Sequence, residues 1–214
     1  MEVDLIEIVI VDDHAMVREG LRLIVERESD IHIAGETGSG NEAMDFLRRH
    51  TVDEVVLDIV LPDRNGIEVL KDIRHEFKDI SVLMLSIHSE DRFGVRAIQA
   101  GAAGYLSKGS AAEELVKAIR VIHRGGKYIP QRLAEALAAE VHYERGLDEH
   151  ERLSDREFEI MLLMGSGKTR IEIARQLNLS PATVSTYRRR VLSKMNLMTN
   201  ADLMRYVIEN HLLG

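Results

Sequence analysis

The sequence predicts an α/β protein, a doubly wound five-stranded parallel sheet followed by a small all-α domain, and three observations carry that prediction. Short apolar runs alternate with amphipathic helical segments through the first 124 residues. These runs lack the strict alternation of a strand with one wet face, so they read as strands buried on both faces. After Glu151 no such run occurs, and only helical periodicity and helix-capping signals remain.

In chain order, the strand candidates are IEIVIVDD from Ile6, IHIAGE from Ile31, DEVVLDIV from Asp53, ISVLMLS from Ile80 and AGYLSKG from Ala103. Helix starts lie between them. Ser39-Gly-Asn-Glu42 and Ser110-Ala-Ala-Glu113 have capping-box spacing, and Ser89 is followed by Glu90 and Asp91. Five such units make a parallel sheet with helices on both faces, and ligands of such sheets gather beyond the carboxyl ends of the strands. From Gly125-Gly126 the strand pattern stops, and LAEALAAEVHYER predicts one linker helix. The expected organisation is a first domain over 1–124, a linker over 125–150 and a second domain over 151–214. In the second domain Ser154 and Glu157 form a capping box, as do Thr169 and Glu172, while Ser180 precedes proline at the first helical position. A helix, a short turn at Asn178-Leu179-Ser180 and an arginine-rich helix make a helix-turn-helix pattern, and a last helix is expected from about Asn200 to Asn210.

Composition narrows the function classes. The chain has 214 residues, 45% of them hydrophobic and 30% charged, enough to bury a core. With no cysteine and nine histidines without ligand spacing, a metal held by His and Cys is not expected. The acidic start MEVDLIEIVIVDD contains an apolar run far shorter than the roughly 20 residues of a membrane span, which predicts a cytoplasmic protein with no membrane partner. Net charge is −8, yet acids outnumber bases through residue 124 and bases outnumber acids from Glu151 onward. That asymmetry assigns polyanion binding to the tail alone, where Arg188, Arg189, Arg190 and Lys194 cluster.

Five residues fall at strand ends in the first domain: Asp12 and Asp13 after the first run, Asp58 in the third, Ser86 in the fourth and Lys108 in the fifth. In the flavodoxin-like order 2-1-3-4-5 they converge on one mouth. Three carboxylates there repel one another, and a hard cation that takes oxygen ligands relieves this, which points to Mg²⁺. A cation, an ammonium and a hydroxyl around Asp58 suit the placing of a phosphoryl group on that carboxylate.

On these residues the first domain resembles the receiver domain of two-component response regulators. The tail, from LSDREFEIMLLM through IEIARQLNLSPATVSTYRRRVLSKMN, resembles the LuxR-type helix-turn-helix of the NarL/FixJ class. The resemblance implies a phosphoacceptor at Asp58, magnesium acids at Asp12 and Asp13, and a backbone carbonyl at Val60 that joins them. It also implies a hydroxyl at Ser86 that follows the phosphoryl group, an aromatic switch at Tyr105 and the receiver lysine at Lys108. The implied partners are a sensor histidine kinase or small phosphodonor, double-stranded DNA and a second copy of the chain in the active state. Two positions depart from the usual pattern: Gly109 stands where many receivers have proline, and Ile87 where a small residue often leaves the phosphate accessible.

Other motifs point elsewhere and fit less well. GSGKT, Gly165 to Thr169, resembles the end of a phosphate-binding loop, but the first glycine of that motif would fall on Leu162 and a helix precedes it where a strand is required. A dinucleotide-binding turn at Gly38-Ser-Gly40-Asn-Glu-Ala43 would lie at the sheet edge and leave Asp12, Asp13, Ser86 and Lys108 idle. An aspartate-nucleophile phosphohydrolase would want a second acid at position 60, which is valine. On the helix from Pro181, a 100° projection places Tyr187, Val191, Val184, Met195 and Leu192 on the packing arc. Ser185, Arg189, Ser193, Thr186 and Arg190 fall on the groove arc. Arg188 lands among the apolar residues and is expected to pair with an acid such as Glu157 or Glu172. Arg189 is the expected base reader; Thr183, Arg190, Lys194 and Lys168, with Thr169 at the neighbouring helix start, are the expected phosphate contacts. Leu203, Val207 and Leu212 of the last helix exceed what a three-helix core requires, so that helix is expected either to dimerise the tail or to serve as a plain core helix.

Overall fold

A computed structural model describes residues 5–86, 93–141, 149–210 and 212–213. They form two compact units, residues 1–140 and 141–214.

In the first unit the chain runs β1 (Ile6–Val11), α1 (Ala15–Val25), β2 (Ile31–Thr37), α2 (Gly40–Leu47), β3 (Glu54–Asp58) and α3 (Gly66–Glu76). It continues through β4 (Ser81–Ser86), α4 (Phe93–Gln99), β5 (Gly104–Ser107), α5 (Ala111–His123) and α6 (Gln131–Val141). All strand pairs are parallel, in the order β2-β1-β3-β4-β5. This is the doubly wound sheet that the apolar runs predict. Ile8, Ile10, Val56, Leu83, Leu85 and Leu106 face Leu21, Leu115 and Ile119 of α1 and α5 in one buried cluster. Each such side chain stabilises the unit by about 1.5–3 kcal/mol on burial. The first unit extends past the expected end at 124: residues 125–140 belong to it, because Tyr128 pairs with Gly104 and Leu133 is fully buried.

The second unit holds a 3₁₀ turn at Glu149–Arg152, then α7 (Asp155–Gly165), α8 (Arg170–Gln176), α9 (Pro181–Lys194) and α10 (Asn200–Glu209). Ser154–Glu157 and Thr169–Glu172 both close as capping boxes, and Ser180 caps α9 by accepting the Thr183 N–H at 3.0 Å. Thr199–Asp202 forms a third box. That pair escapes a search for Glu or Gln at the fourth position, although aspartate offers the same acceptor. Ser39 accepts from the Glu42 N–H, but the Glu42 carboxylate turns to the Gly38 N–H instead of closing a box. The box expected at Ser110 does not form. Its hydroxyl bonds the Ser107 carbonyl at 3.2 Å, a competing local hydrogen bond of the kind serine favours. The cap expected at Ser89 lies outside the described residues. Leu203, Val207 and Leu212 are buried in the unit's own core, with Val207 against Gly165 of α7, so they offer no dimerising face; the large apolar residues that α10 exposes are Met204 and Ile208.

Candidate functional site

Parallel strands end together at one edge of a sheet, and here β1, β3 and β5 bring Asp12, Asp58 and Lys108 to one place. The Lys108 ammonium donates to Asp58 Oδ2 at 2.7 Å and lies 2.6 Å from Asp12 Oδ2. Both carboxylates are buried, Asp12 completely and Asp58 to within 2%. The approach to Asp12 is an ion pair, and among the described residues Asp12 Oδ2 accepts no hydrogen bond of good geometry. Two buried carboxylates therefore share one ammonium. Burial pushes the Asp58 carboxyl up to about 6; Lys108 opposes that rise and Asp12 adds to it. Burial alone would lower the Lys108 ammonium, but Asp58 and Asp12 hold it above its ordinary range.

The backbone after Asp58 is fixed from two sides. Val60 donates its N–H to Asp58 Oδ1 at 3.3 Å, and Gly66 donates to the Ile59 carbonyl at 2.7 Å. Gly66 permits that approach, since a Cβ there would fall 2.0 Å from the Asp58 carbonyl oxygen. Asn65 caps α3 through the Ile67 N–H. Ser86 is buried at the end of β4, one residue beyond the Leu85 that pairs with Asp58, and its carbonyl accepts the Lys108 N–H at 2.7 Å. Tyr105 is fully buried on β5. Ile87 lies outside the described residues.

Sequence reasoning passed over His14. Its Nδ1 is 2.6 Å from Asp13 Oδ1, its N–H donates to Asp12 Oδ1 at 2.8 Å, and Asp12, Asp13, His14 and Asp58 offer ligand atoms all within 4.8 Å of one another. The signal was adjacency, since the imidazole directly follows the acid pair. Three carboxylate oxygens beside one imidazole nitrogen fit a hard divalent cation of the Mg²⁺ kind.

In the second unit α8 and α9 are joined by a turn in which Asn178 adopts a left-handed conformation (φ 49°). Val184, Val191, Leu192 and Met195 are buried and Tyr187 is half-buried, which matches the projected packing arc. Arg188 departs from expectation. It is exposed, and its guanidinium donates to Asn200 Oδ1 at 2.6 Å instead of to an acid. Lys194 takes the place expected of Arg188, donating to Glu157 Oε2 at 2.6 Å, because it lies about 1.7 turns nearer the C-terminal end of α9. Lys168 pairs with Gln176, and Thr169 is engaged in its capping box. Thr183 shares a hydrogen bond with Ser180, Ser185 receives one from Arg170, and Thr186 bonds the Ala182 carbonyl. Arg190 lies 5.8 Å from the Tyr187 ring centre. Arg189 is exposed, and among the described residues it has no ion pair, hydrogen bond or ring contact. The GSGKT stretch is the end of α7 and the cap of α8, with Gly167 at φ +83°, and the glycine turn near Gly38 follows the edge strand β2. No helix of the described residues is long and apolar enough to cross a membrane.

Residues 8–120 match the family described as the response regulator receiver domain, and residues 151–207 match the luxR family of bacterial regulatory proteins. The chain is 38% identical over 209 residues to the response regulator UvrY of Escherichia coli K12, covering 97% of this chain and 96% of that one. It is 32% identical over 200 residues to the response regulator GacA of Pseudomonas aeruginosa, covering 93% and 94% of the two chains. Among solved structures it resembles RcsB from Salmonella enterica serovar Typhimurium bound to a promoter in the presence of phosphomimetic BeF3−. There the TM-score is 0.65 at 25% identity, covering 94% of this chain and 98% of that one.

Proposed function

The chain belongs to the two-component response regulators of the NarL/FixJ class, a receiver joined to a LuxR-type DNA-binding domain, and from that premise we propose that phosphorylation of Asp58 controls its binding to DNA. The observation that carries this reading is the Lys108 ammonium held between Asp58 and Asp12 at the ends of three strands. A carboxylate displaced up to about 6 is still largely ionised at neutral pH and is a stronger nucleophile than an ordinary one.

In the proposed reaction an Asp58 oxygen attacks phosphorus in line, forming an O–P bond. The P–N bond of a phosphohistidine, or the P–O bond of a small phosphodonor, breaks and the leaving group departs with the electron pair. Asp12, Asp13, Asp58 and the Val60 carbonyl would hold Mg²⁺, which supplies positive charge against the equatorial phosphoryl oxygens when bound. Lys108 shifts from the Asp58 carboxylate to the new phosphoryl oxygens, Ser86 offers its hydroxyl to them, and Tyr105 answers the change. Position 60 holds no second acid, so the acyl phosphate lasts, with at most slow autodephosphorylation; this suits a switch better than a phosphohydrolase, and the dinucleotide-binding alternative is not favoured.

On the DNA side, Arg189 reads bases from α9, with Ser185 and Thr186 beside it, while Lys168, Thr169, Thr183 and Arg190 hold phosphates. The active form is a homodimer on an inverted repeat, and the protein works in the cytoplasm. Asp58→Asn tests the centre of the proposal. Incubated with labelled acetyl phosphate and Mg²⁺, the variant should incorporate no label and show no phosphodonor-dependent gain in DNA affinity; incorporation at the wild-type level would move the phosphoacceptor elsewhere.

A further inference from the structure

An outer strand exposes a row of unpaired backbone groups, and β5 is one of the two outer strands of this sheet. The chain covers part of that row itself. Tyr128 bridges Gly104 in parallel, its N–H donating to the Ala103 carbonyl and its carbonyl accepting the Tyr105 N–H, both at 3.0 Å. Gly104 makes room, since a Cβ there would stand 2.9 Å from the Tyr128 oxygen. The Tyr128 ring packs against the cluster shared by α1 and α5, with the Lys117 ammonium 5.8 Å from its centre.

From there the chain passes to the other face of the sheet. The Pro130 carbonyl accepts the Ala134 N–H at 3.0 Å to open α6, and Leu133, with no exposed surface, seats against Gly94 in the first turn of α4. A Cβ on Gly94 would lie 2.8 Å from Leu133 Cδ1, so the absence of a side chain forms the notch. Residues 127–133 are therefore fastened by a strand bridge to β5 and by a buried knob to α4. Tyr105 lends its N–H to this fastening, and Lys108, three residues further along, is bonded to Asp58.

We infer that residues 127–133 are a strap that ties α6 to the β5–α4 edge, and that the state of Asp58 decides whether the strap is seated. The inference rests on the proposed phosphoacceptor role of Asp58. A phosphoryl group that draws Lys108 away from the carboxylates pulls on the end of β5, while the strap holds β5 at its beginning. Buried contacts such as Leu133 in its notch are either made or lost, which gives the edge two arrangements to be biased. Release of the strap frees α6, the helix through which the chain continues into the second unit. Coupling between two sites is reciprocal, so loosening the strap must in turn alter affinity at Asp58.

The test uses the full chain, Mg²⁺ and beryllofluoride, with NMR-detected hydrogen exchange at the Tyr128 and Tyr105 amides. In the wild type, beryllofluoride should speed exchange at Tyr128 about tenfold, and in Asp58→Asn it should not. Leu133→Ala should exchange fast without the analogue and bind it about fivefold tighter, whereas Leu133→Met, of similar volume, should behave as wild type. If Leu133→Ala does not fold, Gly94→Ala presses the same contact from α4 and is scored in the same way. Unchanged Tyr128 exchange in protein that binds beryllofluoride, or equal affinity with the strap loosened, overturns the strap and leaves the role of Asp58 standing. Failure to bind beryllofluoride at all overturns both.

Discussion

Glu54 presents a carboxyl that the switch does not use, and it should dominate the pH dependence of the first unit. It opens β3 between Ile8 and Ser81, has no exposed surface, and neither of its oxygens has a hydrogen-bond partner among the described residues. Burial pushes its carboxyl up to about 8, with the neighbouring Asp53 adding to the rise. Below the ordinary value of 4.5 both folded and unfolded chains hold the proton, and nothing is lost. Between 4.5 and about 8 the unfolded chain releases it and the folded chain keeps it, so stability falls as pH rises and levels above 8. At about 1.36 kcal/mol for each tenfold change in proton affinity, the whole displacement reaches at most about 4–5 kcal/mol. Asp58, displaced up to about 6, is already half titrated at pH 6, so most of the fall from pH 6 to 8.5 belongs to Glu54. The part lost there is about 2–3 kcal/mol. Glu54→Gln keeps the shape and removes the proton. Urea midpoints read by hydrogen exchange on peptides of β1, β3 and β4 score the first unit by itself. The wild-type midpoint should fall from pH 6 to 8.5 while that of Glu54→Gln stays level. Parallel profiles would show that the buried carboxyl is ionised with a partner and would refute the reasoning.

Three further outcomes follow from the geometry. Gly66→Ala should cost about 3 kcal/mol or more and sharply reduce phosphate incorporation, because the new Cβ must displace the Asp58 carbonyl; labelling at the wild-type rate would contradict this. Arg189→Ala should cost about 1–3 kcal/mol on the cognate DNA and little on scrambled DNA, so equal losses on the two would show that this arginine holds the backbone and does not read bases. Burial would raise the Glu157 carboxyl, but Lys194 and the Ser154 N–H hold it below its ordinary value, so their support is present above about pH 4.5 and lost in acid. Lys194→Met should therefore lower the midpoint of the second unit at pH 7 more than at pH 4, and leave the salt slope of DNA binding nearly unchanged; a slope reduced by about one would identify Lys194 as a phosphate contact instead.

The sequence by itself determined the inner strands most plainly, because β3 and β4 are buried on both faces and so appear as unbroken apolar runs: VVL of β3 and VLML of β4 admit little else. It also determined which residues meet at the mouth of the sheet, since parallel strands place their ends together and Asp12, Asp58 and Lys108 each stand at such an end. Periodicity likewise picked the buried arc of α9. The tertiary structure decided what spacing along the chain does not encode. Lys194 and not Arg188 pairs with Glu157, because the ion pair depends on which end of α9 reaches the first turn of α7, a crossing set by packing between helices. Leu203 and Val207 turned inward because α10 packs on α7, where Gly165 leaves space for Val207. Glu54 gives no warning in a run of strand residues, since its burial comes from neighbours distant in sequence. Residues 125–133 read as a polar linker because the partners that order them, the open edge of β5 and the notch at Gly94, exist only after the sheet has formed.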